Sequence, residues 1–233
     1  MNIVMLPANG HDARDFDVVR AKFGGEAWDW PLHGAGASAS RWADWVEERA
    51  MPAVYVGHSV GGFAAARLAV RRPDLVVGLV LISSGGFVPR LGLVGEAFCA
   101  FKGRVSVTAS LEGVFARHHT KGRNEHVRAM FQRIEAKRRN RLWAETVAAV
   151  WRSFVAPESC VLDLARNIQC PSLIVSGARD PVIAPASGRA AQDAIVGARL
   201  IEMDTGHSPF AEDPDGFFAE LSPFLDGLRQ RAA

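Results

Sequence analysis

The sequence lacks the features that mark several large classes of protein. Its three cysteines are an odd number among 233 residues and have no CxxC spacing, which argues against a disulfide framework and against a metal site. No apolar run reaches the ~18 residues of a membrane span. The apolar stretch at the N-terminus is too short for a signal peptide, and no basic segment precedes it. We therefore expect a cytoplasmic protein with free thiols and no membrane partner.

Common signatures of nucleotide and metal chemistry are absent as well. The chain has no GxxxxGK(S/T) phosphate loop, no HExxH zinc motif and no GxGxxG after a predicted strand. Hydrophobic residues make up 48% of the chain and charged residues 22%, a composition typical of a globular protein with one sizeable core. The sequence therefore predicts a globular protein that needs neither a metal nor a cofactor.

Short apolar segments alternate with helical patterns over most of the chain. Helices are expected between the apolar segments, and a terminal helix over residues 215–230 is expected to be interrupted near Pro223. Strands joined by helical crossovers form a mostly parallel sheet with helices on both faces, so we predict an α/β fold. The predicted strands are Ile3–Leu6, Ala27–Trp30, Ala53–Val56, Val76–Ile82, Ser172–Ser176 and Arg199–Met203.

The alternation stops at residues 87–156, where only helical patterns remain. An all-helical insertion between two strands predicts a lid, so we divide the chain into a core of residues 1–86 and 157–233 and a cap of residues 87–156. The cap holds thirteen Lys and Arg against five Glu, a net +8, whereas the remainder carries −6. This charge either solubilises outer helix faces or draws anionic substrates to the cleft. The candidate contacts are Arg117, Lys121, Arg123, Lys137, Arg138, Arg139 and Arg141.

A GxSxG pattern lies between a predicted strand and a predicted helix. Gly57-His58-Ser59-Val60-Gly61 follows the strand that ends at Val56, and this is the setting that the motif requires. The flanking glycines allow a tight turn that lifts the Ser59 hydroxyl above the edge of the sheet. The backbone N–H of Val60, at the N-terminal end of the helix, can then donate to a developing oxyanion. The pattern predicts that Ser59 is a nucleophile.

Serine is a poor nucleophile without a base, and two later loops supply the partners. His207 follows the predicted strand 199–203 directly, and Asp180 follows the strand 172–176. Because the carboxyl ends of parallel strands meet at one edge of a sheet, both side chains are expected near Ser59. The sequence therefore predicts a Ser59–His207–Asp180 triad.

These features together resemble the α/β-hydrolase superfamily, in its serine hydrolase and esterase branch with a helical cap. The resemblance covers nearly the whole chain, and residues 206–214 are similar to the family's GHxxxxExP pattern. The resemblance implies that Ser59 attacks an acyl group, that His207 moves the proton and that Asp180 orients the histidine. Many members carry His-Gly after the first central strand, where this chain has Pro7-Ala8-Asn9. The backbone N–H of Asn9 is therefore the expected second oxyanion donor, and its side chain is a candidate for a further contact.

The family's usual leading hairpin is missing, because Ile3 already begins the first central strand. The sheet should therefore have about six strands, all parallel, with the Trp28–Trp30 strand at an edge. An open edge can pair with a second chain, so we expect a monomer or a homodimer.

The sequence thus predicts a hydrolase of a carboxylic ester, thioester or lactone. Its expected partner is a small-molecule acyl substrate, either anionic or carrier-linked if the cap charge faces the cleft, or uncharged if it does not. Similar triads in the superfamily also hydrolyse C–C bonds, act as cofactor-free haloperoxidases or cleave hydroxynitriles, and these chemistries remain open. A ligand receptor with a retained triad is a further alternative. The basic residues do not cluster with aromatics as in a nucleic-acid surface, so no nucleic-acid partner is expected.

Overall fold

A six-stranded parallel sheet forms the centre of the molecule. The computed structural model describes residues 1–88, 93–107, 124–137 and 139–231. The strands are β1 Ile3–Leu6, β2 Glu26–Ala27, β3 Ala53–His58, β4 Val76–Ile82, β5 Ser172–Gly177 and β6 Arg199–Met203. Every neighbouring pair of these strands is parallel, in the order β2-β1-β3-β4-β5-β6. The α/β-hydrolase fold expected from the sequence, with a parallel sheet of about six strands, is confirmed.

Helices cover both faces of the sheet, because successive strand residues point to opposite sides. On β1, Val4 and Leu6 join one apolar cluster with α2 and α3, while Ile3 and Met5 join a second cluster with α1 and α9. Short 3-10 turns lie at Ala13–Phe16, Gly34–Gly36, Pro157–Ser159 and Leu162–Asn167. The helices are α1 Asp17–Phe23, α2 Ala39–Glu47, α3 Val60–Arg71, α4 Leu93–Val107, α5 Glu125–Lys137, α6 Arg141–Ser153, α7 Pro185–Ala194, α8 Pro209–Glu212 and α9 Pro214–Arg231.

The edge strand β2 is shorter than the sequence predicts. The Trp28 N–H still donates to the Met5 carbonyl at 3.0 Å, but the chain then leaves the sheet. The Trp30 ring stacks on the Trp42 ring with centroids 4.5 Å apart, and its indole N–H donates to the Pro7 carbonyl at 2.9 Å. Packing of the indole against α2 therefore outweighs further pairing of the strand, although β2 lies at an edge as expected.

The terminal helix is continuous, so the predicted interruption near Pro223 is wrong. Proline removes one backbone donor and leaves the carbonyl of Ala219 without its helical partner. Both Ala219 and Pro223 lie on the exposed side of α9, where water can hydrate that carbonyl. The opposite side is buried through Phe217, Leu221 and Leu225, and this burial holds the helix together across the proline.

The described residues between β4 and β5 include α4, α5 and α6, which we call the inserted helices. Helix α6 is tied to the core by two hydrogen bonds: the Gly34 N–H donates to the Thr146 hydroxyl at 2.8 Å, and the Ala39 N–H donates to the Ser153 hydroxyl at 2.9 Å. The division into a core and a cap of residues 87–156 stays a prediction. Among the helices described, none has the length and apolar character needed to cross a bilayer.

Candidate active site

Ser59 lies in a strained turn between β3 and α3. Its φ of 57° is a backbone conformation that residues other than glycine rarely adopt. The turn is crowded, since a Cβ on Gly57 would lie 2.3 Å from the Gly61 carbonyl oxygen, and one on Gly61 would lie 2.1 Å from that of Leu6. Only glycine fits at these two positions, which explains the spacing of the GxSxG pattern. The turn places Ser59 at the carboxyl end of β3, as predicted.

Asp180 and His207 are paired at the same edge of the sheet. The Nδ1 atom of His207 lies 2.7 Å from the Oδ2 atom of Asp180, and both side chains are buried. The other carboxylate oxygen accepts the N–H groups of Val182 at 2.8 Å and Ile183 at 3.0 Å. Because a carboxylate only accepts, the Nδ1–H group of His207 is the donor in this pair, and the carboxylate fixes the orientation of the ring.

The loop that carries His207 is held by two further side chains. The carboxylate of Glu212 accepts the N–H of Gly206 at 2.8 Å and that of Ser208 at 3.0 Å, which gives the glutamate of the GHxxxxExP pattern a structural role. The ring nitrogen Nε2 of His58 contacts the His207 carbonyl oxygen at 2.8 Å. Burial, together with the neighbouring His207 and His11, lowers the pKa of His58 well below 6.5. His58 is therefore neutral and donates this hydrogen bond.

Two cavities meet at Ser59. Ser59 and His207 both line the smaller one, which has a volume of about 20 Å³. The larger one, of about 530 Å³, is lined mainly by apolar side chains that include Val88, Phe98 and Phe154. The structure thus brings the three residues of the predicted triad together beside a space large enough for an acyl chain.

The two predicted oxyanion donors flank Ser59. Val60 is the first residue of α3, so its N–H is one of the amides that a helix leaves without an internal acceptor. Asn9 lines both cavities. Its side-chain Nδ2 donates to the Val147 carbonyl of α6 at 3.0 Å, and a further contact of this side chain with an oxyanion stays a prediction. The Asn9 side chain therefore anchors the loop, and its backbone N–H remains the candidate donor.

A charged cluster that sequence reasoning missed holds the segment after Asn9. The buried carboxylate of Asp15 accepts from Arg133 of α5 at 2.6 Å and also contacts His11. Asp12 pairs with Lys137 at 2.7 Å. Burial alone would raise the pKa of Asp12, but hydrogen bonds and charges from Arg14 and Lys137 outweigh burial and lower it to about 2. No motif signals this cluster, because Arg133 and Lys137 lie more than a hundred residues from their acidic partners in the sequence.

The basic residues proposed to attract anions are only partly within the described chain. Arg117, Lys121, Arg123 and Arg138 lie outside the described residues. Of the others, Lys137 pairs with Asp12, Arg141 pairs with Glu145 at 2.6 Å, and Arg139 is exposed.

Carboxylates and thiols are among the groups that line the larger cavity. Glu96 and Asp163 are the charged side chains there among the residues that the structure describes, so an attraction of anions stays a prediction. Cys99 and Cys160 line it too. Burial raises the pKa of the Cys99 thiol to about 11, which keeps it protonated and a weak nucleophile. Across the described residues, no group of three or more His, Cys, Asp and Glu side chains is placed to hold a metal ion.

Comparison with known proteins agrees with this architecture. A family model for the alpha/beta hydrolase family matches residues 3–221. The pimeloyl-(acyl-carrier protein) methyl ester esterase of Chromobacterium violaceum is 28% identical and is matched over 97% of this chain and 94% of its own length.

Solved structures give the same result. Est816, described as an N-acyl homoserine lactone degrading enzyme, is 25% identical, covers 96% of this chain and 93% of its own, and has a TM-score of 0.77. A thermophilic esterase from Thermogutta terrifontis is 18% identical, covers 98% of this chain and 90% of its own, and has a TM-score of 0.78, a likeness of fold alone. With a family match over nearly its full length, the chain belongs to the alpha/beta hydrolases and is a hydrolase.

Proposed function

We propose that this protein hydrolyses a carboxylic ester, or a related thioester or lactone, through an acyl-enzyme on Ser59. The observation that carries the proposal is the arrangement of His207, which is fixed by Asp180 on one side and lines the same cavity as Ser59 on the other. A serine in a strained turn beside an imidazole that a carboxylate orients is the arrangement that activates a hydroxyl for attack on an acyl carbon. No cofactor takes part in this chemistry.

The reaction follows from the position of each group. Ser59 Oγ attacks the carbonyl carbon while its proton passes to Nε2 of His207, and Asp180 stabilises the imidazolium. The N–H groups of Val60 and Asn9 donate to the oxyanion. The bond from carbon to the alcohol oxygen breaks, His207 protonates that oxygen, and an acyl-enzyme remains. Water then attacks the acyl carbon and gives a proton to His207, which returns it to Ser59 Oγ as the carboxylic acid leaves.

Two relatives support an acyl substrate. A relative matched over 97% of this chain is named as an esterase, and a solved structure at 25% identity is described as a lactone-degrading enzyme. C–C bond hydrolysis, haloperoxidation, hydroxynitrile cleavage and a receptor role stay alternatives on the same triad. The cytoplasmic location and the choice between monomer and homodimer stay predictions.

Turnover of simple esters tests the proposal. We expect wild-type protein to release acid from methyl esters of C4 to C10 acids in a pH-stat, over many turnovers. The Ser59→Ala variant should release none above background, and a fluorophosphonate should label wild type but not this variant. Labelling of Ser59 without multiple turnover on esters, thioesters or lactones would favour a receptor. Acid release that persists in Ser59→Ala would overturn the mechanism.

A further inference from the structure

The two cavities at Ser59 differ in size and in their relation to His207. Both are lined by Ser59, Asn9 and Val182, so both reach the reacting atoms. The larger cavity has a volume of about 530 Å³ and the smaller about 20 Å³. His207 lines the smaller one, and it is not among the described residues that line the larger. The base therefore faces the narrow side of the site.

The chemistry of ester cleavage assigns a different part of the substrate to each cavity. When the bond from the acyl carbon to the alcohol oxygen breaks, that oxygen must take the proton that His207 carries. The alcohol must therefore lie in the space that His207 lines. The acyl chain extends from the same carbon toward the other side, where the larger cavity is open.

Resting on the proposed function, we propose that the substrate is an ester of a long acyl group with a small alcohol such as methanol. A cavity needs a volume of at least about 10–15 Å³ to hold a single ordered water. The smaller cavity therefore holds one water, or an alkoxy group of one or two carbons, but no longer chain. The larger cavity has more than twenty times the volume of the smaller one and takes an acyl chain of many carbons.

The wall that limits the alcohol side is built from packed side chains of the inserted helices. Ile134 of α5 and Trp143 of α6 line the smaller cavity. They are 5% and 4% exposed and belong to one apolar cluster with Val147. The Trp143 ring also lies against the loop of Asn9, since a Cβ on Gly10 would be 3.2 Å from it. A longer alcohol would have to displace these packed groups, which proteins resist.

The same cavity explains how the acyl-enzyme is released. After the alcohol leaves, the space beside His207 is refilled by one water, which is placed where the imidazole can take its proton. Because the attacking water and the departing alcohol occupy the same position, methanol should also be able to accept the acyl group, whereas hexanol should not.

Two isomeric esters test this assignment without any mutation. Methyl heptanoate and hexyl acetate have the same atoms, but the long chain is on the acyl side in one and on the alcohol side in the other. We expect kcat/KM in a pH-stat, normalised to the rates of alkaline hydrolysis, to be at least about tenfold higher for methyl heptanoate, because overpacking an ordered wall is costly. Equal values, or a preference for hexyl acetate, would overturn the inference.

Variants on the two sides then separate the cavities. Ile134→Ala should raise kcat/KM for hexyl acetate relative to methyl heptanoate by about fivefold, because it opens the wall. The matched control, Phe98→Ala, alters a residue that lines the larger cavity and should lower kcat/KM for methyl heptanoate without a gain for hexyl acetate. If Ile134→Ala does not fold, the comparison of the two isomeric esters with wild-type protein still tests the inference. Turnover of neither ester would count against the proposed function, whereas turnover without preference would count against this inference alone.

Discussion

The two sides of the active site are held in different ways. Ser59, Asp180 and His207 follow β3, β5 and β6 directly, and the partners that orient them are backbone groups and side chains within a few residues of these strand ends. The opposite side, with Asn9, rests on contacts with the inserted helices through Val147 and Arg133. The proposed triad is thus held at the ends of the strands, whereas the loop of Asn9, the proposed oxyanion donor, depends on how distant helices pack onto it.

Removal of the nucleophile or the base should have the largest effect. Ser59→Ala and His207→Ala should each lower kcat by at least about 10⁴-fold, since the triad acts as a unit. Steady-state kinetics on a methyl ester checks the loss, and circular dichroism with thermal melting checks that the fold is kept. Near-wild-type turnover in either variant would show that Ser59, His207 and Asp180 do not form the catalytic centre.

Asp180→Asn should lower kcat by about 10³-fold with little change in KM, a smaller loss than that of Ser59 or His207. The amide has one oxygen where the carboxylate has two. If that oxygen keeps the backbone N–H groups that Asp180 Oδ1 accepts, the NH2 group faces Nδ1, and the histidine loses the tautomer that the carboxylate fixes. Measurement of kcat and KM over pH 5 to 9 separates this effect from a binding defect. An increase in KM alone would mean that Asp180 acts in binding rather than in the orientation of His207.

On the side of Asn9, Arg133→Gln should lower kcat by about tenfold. This loss is smaller than the decrease in kcat of about 10²-fold or more that follows removal of an oxyanion donor. The variant removes the hydrogen bond to Asp15 at 2.6 Å and loosens the segment that carries Asn9. The matched control is Arg141→Gln on the neighbouring helix, which makes the same charge change at an exposed pair with Glu145. Equal losses of kcat in both variants would indicate a general effect of charge. The two sides of the site would then not differ in how they are held.

The smallest effect concerns stability, and it depends on pH. The folded pKa of Asp12 is lowered from 3.8 to about 2, so its contribution is complete above pH 4 and is lost as pH falls toward 2. After allowance for solvent screening, Asp12→Asn should lower the free energy of unfolding at pH 7 by about 1 kcal/mol. Asparagine keeps the hydrogen bond to the Arg14 N–H, so the charge is isolated.

Urea unfolding at several pH values checks this prediction. The difference between wild type and Asp12→Asn should shrink as the pH falls from 4 to 2. Asp74→Asn, at an exposed pair with Arg72, is the control and should lower the free energy of unfolding by much less than Asp12→Asn. A difference for Asp12→Asn that does not vary with pH would mean that the ion pairs with Arg14 and Lys137 are not its source.

Local pattern determined most of the strand positions and the nucleophile. Val76–Ile82 and Arg199–Met203 are strands over the predicted residues, because a run of apolar or β-branched residues between turns has few other ways to be buried. The GxSxG pattern located Ser59 because the geometry of the turn is set by residues within two positions of it. The helix Pro185–Ala194 lies between two predicted strands, as the expected alternation requires, although no bounds were predicted for it.

The tertiary structure alone decided what surrounds the triad. Pro223 lies within a continuous helix because the face opposite the proline is buried, and Trp30 leaves the sheet to stack on Trp42. The pairing of Arg133 with Asp15 joins residues 118 apart in sequence, and the size of each cavity depends on side chains from several elements. Local pattern determined which residues are candidates for the chemistry, because the turns and strand ends that present them are short-range. Their neighbours, and with them the space left for a substrate, depend on long-range packing that no local pattern encodes.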